Sequence, residues 1–277
     1  GAQSIISLGW PYPLRPVKDL QIDHQGWIAG YAGQTDYHEY LPPLLEKLVV
    51  FIKEHTDKDF QYKCFTDSAP ILEREIARQA GLGWIGRNSN LISPQAGSAF
   101  LLAEIFLTIP LFPDKSFEDD RCGNCRKCIE ACPTNCIQID RTIDANKCIS
   151  YLTIENKGNI ANELKPSLEI WLFGCDVCQM VCPWNQKLVC EGQTINWSEE
   201  EILDVLSWDQ AEYVDHLRNT PLSRSKLEGW QRNALVWLGN HSNVSILPDL
   251  DGFLARNPQA SAVDAANWAI KKIKAAK

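Results

Sequence analysis

The first apolar run, Ser4-Ile5-Ile6-Ser7-Leu8, reads as a strand that opens almost at the first residue. A domain rarely begins in its own core, so residues upstream of Gly1 are expected in the full protein. Pro11, Pro13 and Pro16 break regular structure and lead into a polar, glycine-rich loop over 26–40. Pro42 and Pro43 suit a first helical turn, and Leu44, Leu45, Leu48, Val49 and Ile52 then recur at helical spacing. A short strand over 61–65 runs into Thr66-Asp67-Ser68-Ala69-Pro70, after which Leu72, Ile76 and Ala80 mark a helix stopped by Gly81. Residues 81–88 form a glycine-rich loop, followed by strands over 90–93 and 98–108 that a turn at Gln95-Ala96-Gly97 joins.

Gly81, Gly83 and Gly86 invite a phosphate-loop reading, but a dinucleotide Gly-x-Gly-x-x-Gly follows a strand and opens a helix. Here the order is reversed. The pattern predicts instead a backbone that passes close to a bulky flat ligand, where a Cβ would block approach. Beyond Cys190 the chain turns acidic and helical. Thr220-Pro221 begins a helix with Leu222, Leu227, Trp230, Leu235 and Leu238 on its apolar face, ended by Gly239-Asn240. Two further helices are predicted near 245–256 and 261–275, the last opened by Ser261 and Asp264 as a capping box. Successive short amphipathic helices resemble a HEAT-like repeat.

The 277 residues, 45% hydrophobic, leave room for two or three units. Residues 114–190 are cysteine-rich. Cys122, Cys125, Cys128 and Cys132, followed by Pro133, have the spacing that wraps thiolates around a cubic iron–sulfur cluster. Cys148, Cys175, Cys178 and Cys182, again followed by a proline, supply a second set. The fourth cysteine of each run ligates the other cluster in two-cluster ferredoxins. Cys122, Cys125, Cys128 and Cys182 are therefore assigned to one 4Fe-4S cluster, and Cys132, Cys148, Cys175 and Cys178 to the other. Zinc sites need paired Cys-x-x-Cys or added histidines, which neither run offers. Cys64, Cys136 and Cys190 read as buried small hydrophobes, with Cys136 placed to substitute as a ligand. Reduced thiolates predict a cytoplasmic setting, and the chain shows no signal peptide and no apolar run of membrane-spanning length.

Ten tryptophans beside a single methionine suggest that some indoles line a ligand or an interface. A net charge of −8 means that a polyanion would need a local basic patch. His216, Arg218, Arg224, Lys226 and Arg232 form one candidate. The bland alternative is a solvated helix face. His24, His38 and His241 show no partner pattern and read as surface or loop residues.

Asp67-Ser68-Ala69-Pro70-Ile71-Leu72-Glu73-Arg74, Gly81-Leu82-Gly83-Trp84-Ile85-Gly86-Arg87-Asn88-Ser89-Asn90, Cys148-Ile149-Ser150-Tyr151-Leu152-Thr153-Ile154-Glu155 and Phe173-Gly174-Cys175-Asp176-Val177-Cys178, with the two cysteine runs, together resemble the epoxyqueuosine reductases. The resemblance covers nearly the whole chain. It implies an α+β fold: a nitroreductase-like cobalamin-binding domain over 1–113, a ferredoxin-like two-cluster domain over 114–190 and a HEAT-like helical domain over 191–277. The implied activity is reduction of epoxyqueuosine to queuosine at the wobble position of tRNA, the last step of queuosine biosynthesis, with cobalamin and two 4Fe-4S clusters. No Asp-x-His-x-x-Gly motif occurs, so no histidine is expected beneath cobalt. Asp67 matches the family's catalytic aspartate and is expected to donate a proton, against the reading of an aspartate that caps the following helix. An acid there needs desolvation by an apolar face, with Ser68 taking the cap.

Expected cobalamin contacts are Tyr31, Tyr37, Asn90, Ser150, Asp176 and Val177; for Ser150 and Asp176 the alternative is tuning of a cluster through hydrogen bonds. Expected tRNA contacts are Arg224, Lys226 and Arg232, helped by Arg218 and Lys187. An external electron donor is required, and a monomer without membrane attachment is expected. A reductive dehalogenase-like enzyme and a pure two-cluster electron carrier are the rival readings.

Overall fold

The computed structural model describes residues 1–16, 25–186, 195–256 and 258–275. In chain order the first half holds β1 (Ser4–Pro11), β2 (Gly26–Ile28), α1 (Tyr37–Glu54), β3 (Tyr62–Phe65), α2 (Glu73–Gln79), β4 (Trp84–Ile85), β5 (Leu91–Ile92) and β6 (Phe100–Leu107). Then follow α3 (Lys127–Glu130), α4 (Ile149–Ile154), β7 (Trp171–Phe173), α5 (Val177–Met180), β8 (Asn196–Trp197), α6 (Glu199–Asp204), α7 (Gln210–Leu217), α8 (Lys226–His241), α9 (Leu247–Ala255) and α10 (Ala260–Ala275).

β6 is the centre of an antiparallel sheet, with Ser4 of β1 opposite Leu107 and Phe65 of β3 opposite Glu104. Tyr37, Leu41, Leu45 and Val49 recur every four residues along α1, so one stripe of the helix buries against Ala103, Ile105 and Leu107. This helix starts earlier than its prolines suggest. Asp36 caps it by accepting the His38 N–H at 3.0 Å, and Pro42 and Pro43 therefore lie inside it.

The glycine-rich segment resolves differently from its sequence reading. Trp84-Ile85 pairs with Leu91-Ile92 as a small hairpin. A Cβ on Gly83 would collide with the Ile92 carbonyl, and one on Gly86 with the Ile92 side chain. These glycines serve the hairpin's own close approach and not that of a ligand. The strands expected to form a hairpin around Gly97 share only the Ser93–Gly97 bridge, because β6 is taken by β1 and β3.

A second, mixed sheet has the order β7-β2-β8. Its central strand falls in the segment expected to be a loop. Trp27 there meets Trp171 edge-on at 5.6 Å, and both are 1% exposed. Each of the three sequence-defined segments gives this sheet one strand. Against it pack α4, α6 and α8, and α8 packs in turn on α10. Gly239 lies inside α8, which runs on to His241; a Cβ at Gly239 would press on Trp268 and Ala269 at 2.6–2.9 Å. The segment opened by Pro221 is a 3-10 turn, and α8 itself starts at Lys226. Ser261 does not cap α10: buried within that helix, it donates to Glu228 at 2.5 Å, while Asp264 pairs with the buried Lys165 at 2.6 Å.

The tryptophans mostly fill this core. Trp27, Trp171, Trp230 and Trp237 are each at most 1% exposed. Arg232, expected at a phosphate, is buried too, at 1% exposure. Its guanidinium donates to the carbonyls of Leu152 (2.6 Å), Asn156 (2.5 Å) and Gly158 (2.9 Å), and Asn233 beside it donates to Thr153 and Leu172. Among the described residues no helix is long and apolar enough to cross a membrane.

Each buried carbonyl left without a donor costs about 1–3 kcal/mol. Arg232→Ala strands the buried Leu152 carbonyl and leaves the half-buried bonds to Asn156 and Gly158 unmade, so thermal unfolding should show a loss of about 1–3 kcal/mol. An unchanged melting temperature would return Arg232 to the surface.

Candidate active site

Where β3 ends, Thr66 anchors the chain by donating its hydroxyl to the Leu102 carbonyl at 2.9 Å. The next residue, Asp67, has φ 49°, in the left-handed region that non-glycine residues rarely adopt. Its N–H donates to Glu73 Oε1 at 2.7 Å. Its carboxylate Oδ2 accepts from the Tyr37 hydroxyl at 2.8 Å and from Arg224 Nη1 at 3.3 Å. Asp67 is not a helix cap, and neither is Ser68, because α2 begins at Glu73 with Leu72 in the cap position.

Arg224 reaches this turn from the 3-10 segment ahead of α8. Nη1 also donates to the Tyr37 hydroxyl at 2.8 Å, and the guanidinium lies 4.8 Å over the Tyr37 ring. Nη2 lies 2.6 Å from His38 Nδ1 and 3.8 Å from Asp36 Oδ1. The expected phosphate contact is thus turned inward onto two carboxylates. His38, whose sequence neighbours gave no partner pattern, belongs to the same network through Asp36 at 2.8 Å.

A cavity of about 290 Å³ opens beside Asp67. Leu91, Phe100 and Leu101 supply apolar walls, while Tyr12, Tyr37, Asn90 and Ser98 supply polar edges. Tyr31 stands behind it, packed on Tyr12, Tyr37 and Phe173 at 6.2–6.5 Å. A buried polar chain joins the cavity to the cysteine-bearing helix α5. Gln179 donates to the Tyr12 hydroxyl at 2.9 Å, Ser98 donates to Gln179 at 3.0 Å, and Asn185 donates to Ser98 at 2.9 Å. Asp176 accepts the Gly30 N–H at 2.7 Å, and burial pushes its carboxyl up to about 6. Val177 is buried beside it, and Ser150 is half-buried one residue beyond Ile149 on α4. Of the expected contacts, then, Tyr37 and Asn90 line the cavity, Tyr31 backs it, and Asp176 faces inward.

The cysteines gather in two groups. Cys122, Cys125, Cys128 and Cys182 line one cavity of about 610 Å³, together with Arg87, Arg121 and Lys127. Trp84 Nε1 lies 3.4 Å from Cys122 Sγ. Burial and the neighbouring Cys122 and Cys125 raise the Cys182 thiol, which places Cys182 with the first run and not with its sequence neighbours. In the second group, burial, then Cys148 and Asp176 raise the Cys178 thiol, with Cys128 of the first group and Cys132 also contributing. Cys136 lies there too, 3.4 Å from Cys132, and its hydrogen bonds hold the Cys132 and Cys148 thiols low. Low thiols favour the thiolate that binds iron.

Two remaining basic candidates are exposed: Lys226, and Arg218 paired to Asp215 at 3.4 Å. Lys187, Cys190 and His24 lie outside the described residues. His241 is 3.0 Å from the Glu169 carbonyl.

This is the arrangement of an iron–sulfur oxidoreductase, and residues 121–185 match the family model of a 4Fe-4S double cluster binding domain. Residues 1–68 match that of the epoxyqueuosine reductase QueG. An epoxyqueuosine reductase of Pseudomonas aeruginosa is 36% identical over 282 residues, covering 98% of this chain and 77% of the relative. Another, of Cyclobacterium marinum, is 39% identical over 84% of this chain and 75% of its own length. The solved epoxyqueuosine reductase of Streptococcus thermophilus superimposes with a TM-score of 0.88 at 29% identity, over 98% of this chain and 74% of that one. A further solved relative carries a tRNA-Tyr epoxyqueuosine-modified stem loop, and the Bacillus subtilis enzyme has been solved with its aspartate-bearing catalytic loop swung out of the active site. The chain belongs to the epoxyqueuosine reductase family.

The grouping of the thiols yields a direct test. Cys182→Ala should bleach the cluster held by Cys122, Cys125 and Cys128 and halve the iron content. Electron paramagnetic resonance that instead shows loss of the cluster beside Cys175 and Cys178 would refute the crossed pairing.

Proposed function

We propose that this chain reduces epoxyqueuosine to queuosine within tRNA, with the chemistry at Asp67. The observation that carries this reading is the Asp67 carboxyl, held by Tyr37 and Arg224 at the edge of a cavity that a buried polar chain joins to α5. Converting the epoxide to the alkene takes two electrons and two protons and releases the oxygen as water. Asp67 supplies the proton to the departing oxygen. The carboxylate left behind is met by a phenol donor at 2.8 Å and a guanidinium at 3.3 Å, and such donors stabilise the product form of the acid.

Cys122, Cys125, Cys128 and Cys182 would hold one 4Fe-4S cluster, and Cys132, Cys148, Cys175 and Cys178 the other, with Cys136 donating to ligand sulfurs. The cavity beside Asp67, about 290 Å³, would admit only part of cobalamin, whose apolar face Leu91, Phe100 and Leu101 suit and whose amides Tyr12, Asn90 and Ser98 suit. Tyr37 and Asn90 would hold it, Tyr31 would back it, and Ser150, Asp176 and Val177 would shape its surroundings. When bound, the clusters and cobalamin supply single-electron storage and a reduced cobalt centre. The protein's own work is to orient the epoxide against Asp67, whose side chain is 62% exposed and not desolvated by an apolar face as the sequence reading expected. Reading β1-β6-β3 as nitroreductase-like and the helices beyond 220 as HEAT-like accords with this proposal, as does a cytoplasmic enzyme served by an external electron donor.

Arg218 and Lys226 are the exposed cations nearest in sequence to Arg224 and are the proposed tRNA phosphate contacts, with Lys187 as a further candidate. Aromatic stacking would hold the splayed anticodon bases.

Asp67→Asn should keep clusters and tRNA binding and lower the rate of epoxide reduction by about 10²- to 10⁴-fold. A variant with more than half of the parent rate would remove Asp67 from the chemistry. Replacing Arg218 and Lys226 together by Ala should flatten the log–log salt dependence of tRNA binding by about 0.7 for each single-strand phosphate that is no longer neutralised. An unaltered slope would move the tRNA site elsewhere.

A further inference from the structure

Glu104 is the one charged residue in β6, Phe-Leu-Leu-Ala-Glu-Ile-Phe-Leu, and it is 0% exposed. Its Oε1 lies 3.5 Å from the Ser7 hydroxyl of β1, while Oε2 meets no N–H or O–H donor. What it faces is another acid: α2 packs on β6, and the carboxyl of Glu73, the first residue of α2, is close enough to raise that of Glu104. Two carboxyls so placed cannot both ionise without strong repulsion, so one proton lies between them. Glu73 in turn accepts the N–H of Asp67 at 2.7 Å, the residue whose backbone sits at φ 49°. A left-handed non-glycine turn persists only when its surroundings hold it, and this carboxylate is the backbone partner that does so here.

We propose that Glu73 and Glu104 form a proton-sharing latch that positions Asp67. Glu73 grips the Asp67 amide, and protonated Glu104 holds Glu73 in place from beneath. Both are positioning residues, and the inference rests on the function proposed above.

Burial, and then Glu73, push the Glu104 carboxyl up to about 8. The groups facing the pair are Ser7 from β1, Arg74 from α2 and Asp67 from the turn, with the uncharged Phe65 opposite on β3. Below that pH the shared proton is present. As pH rises through it, the second carboxylate forms, repels Glu73 and loosens the turn, so turnover falls on the alkaline side.

Glu104→Gln keeps an N–H donor toward Glu73 and has nothing to titrate. It should retain turnover near the parent's at neutral pH and lose the alkaline fall. Glu104→Leu removes the donor. Losing a hydrogen bond to a charged group is worth roughly tenfold or more, so turnover should drop and the Asp67 amide should exchange with solvent faster by at least that factor, with cluster absorbance unchanged. A Glu104→Gln pH profile superimposable on the parent's would overturn the latch. So would Asp67 amide protection, corrected for intrinsic exchange, that does not change across pH 8 in the parent. Amide exchange needs no substrate. Were the parent inactive on epoxyqueuosine tRNA, the function proposed above would fail while the latch was still decided; Glu104→Gln likewise decides it should Glu104→Leu not fold.

Discussion

The contact on which most of the molecule depends is the pair Arg232 and Asn233, buried in the middle of α8. A guanidinium out of water must direct its donors at fixed acceptors or destabilise the fold. Here it directs them at carbonyls at the end of α4 and in the loop that follows. Asn233 does the same for the last turn of α4 and for β7. α4 starts immediately after Cys148, and β7 ends two residues before Cys175. One hydrogen-bonded knot therefore fixes two cysteine-bearing segments to the helix whose leading turn carries Arg224.

From that placement follows the site. Arg224 is held against Tyr37 and His38 on α1 and reaches Asp67 on the far side. A sheet core made from β6 and α1 thus meets a helical core where Tyr31 packs on both and where Arg224 stands between Asp36 and Asp67. A guanidinium suits this post, because it can address a phenol, an imidazole and a carboxylate at once while stacked on a ring. A lysine could not.

The cysteine spacing was fully legible, since ligand geometry is written in short intervals. The crossed assignment of ligands is a proposal, supported by the one cavity that Cys122, Cys125, Cys128 and Cys182 line together. The Asp67 segment was found only through family resemblance; composition would have left it a cap. Arg224 and Arg232, eight residues apart, looked alike as surface cations. What separates them is a set of carbonyls 74 to 80 positions earlier for one and a tyrosine 187 positions earlier for the other, which no local pattern encodes. The three-residue β2 was missed because it has no period of its own and exists only between β7 and β8. Gly83 and Gly86 were read as points where a ligand approaches the backbone, whereas they are points where the chain approaches itself. Glu104 carried a signal that was available, a lone acid in an otherwise apolar strand.

The central claim is that a chain with this Asp67 site and two cluster-binding cysteine groups turns over an epoxide on tRNA. The direct measurement is incubation of the reconstituted protein with cobalamin, a strong reductant and tRNA bearing epoxyqueuosine, followed by mass spectrometry of the nucleosides. Conversion to queuosine, with loss of one oxygen and no other change, is the predicted result. Epoxyqueuosine left intact by protein with both clusters loaded and cobalamin bound would contradict the account.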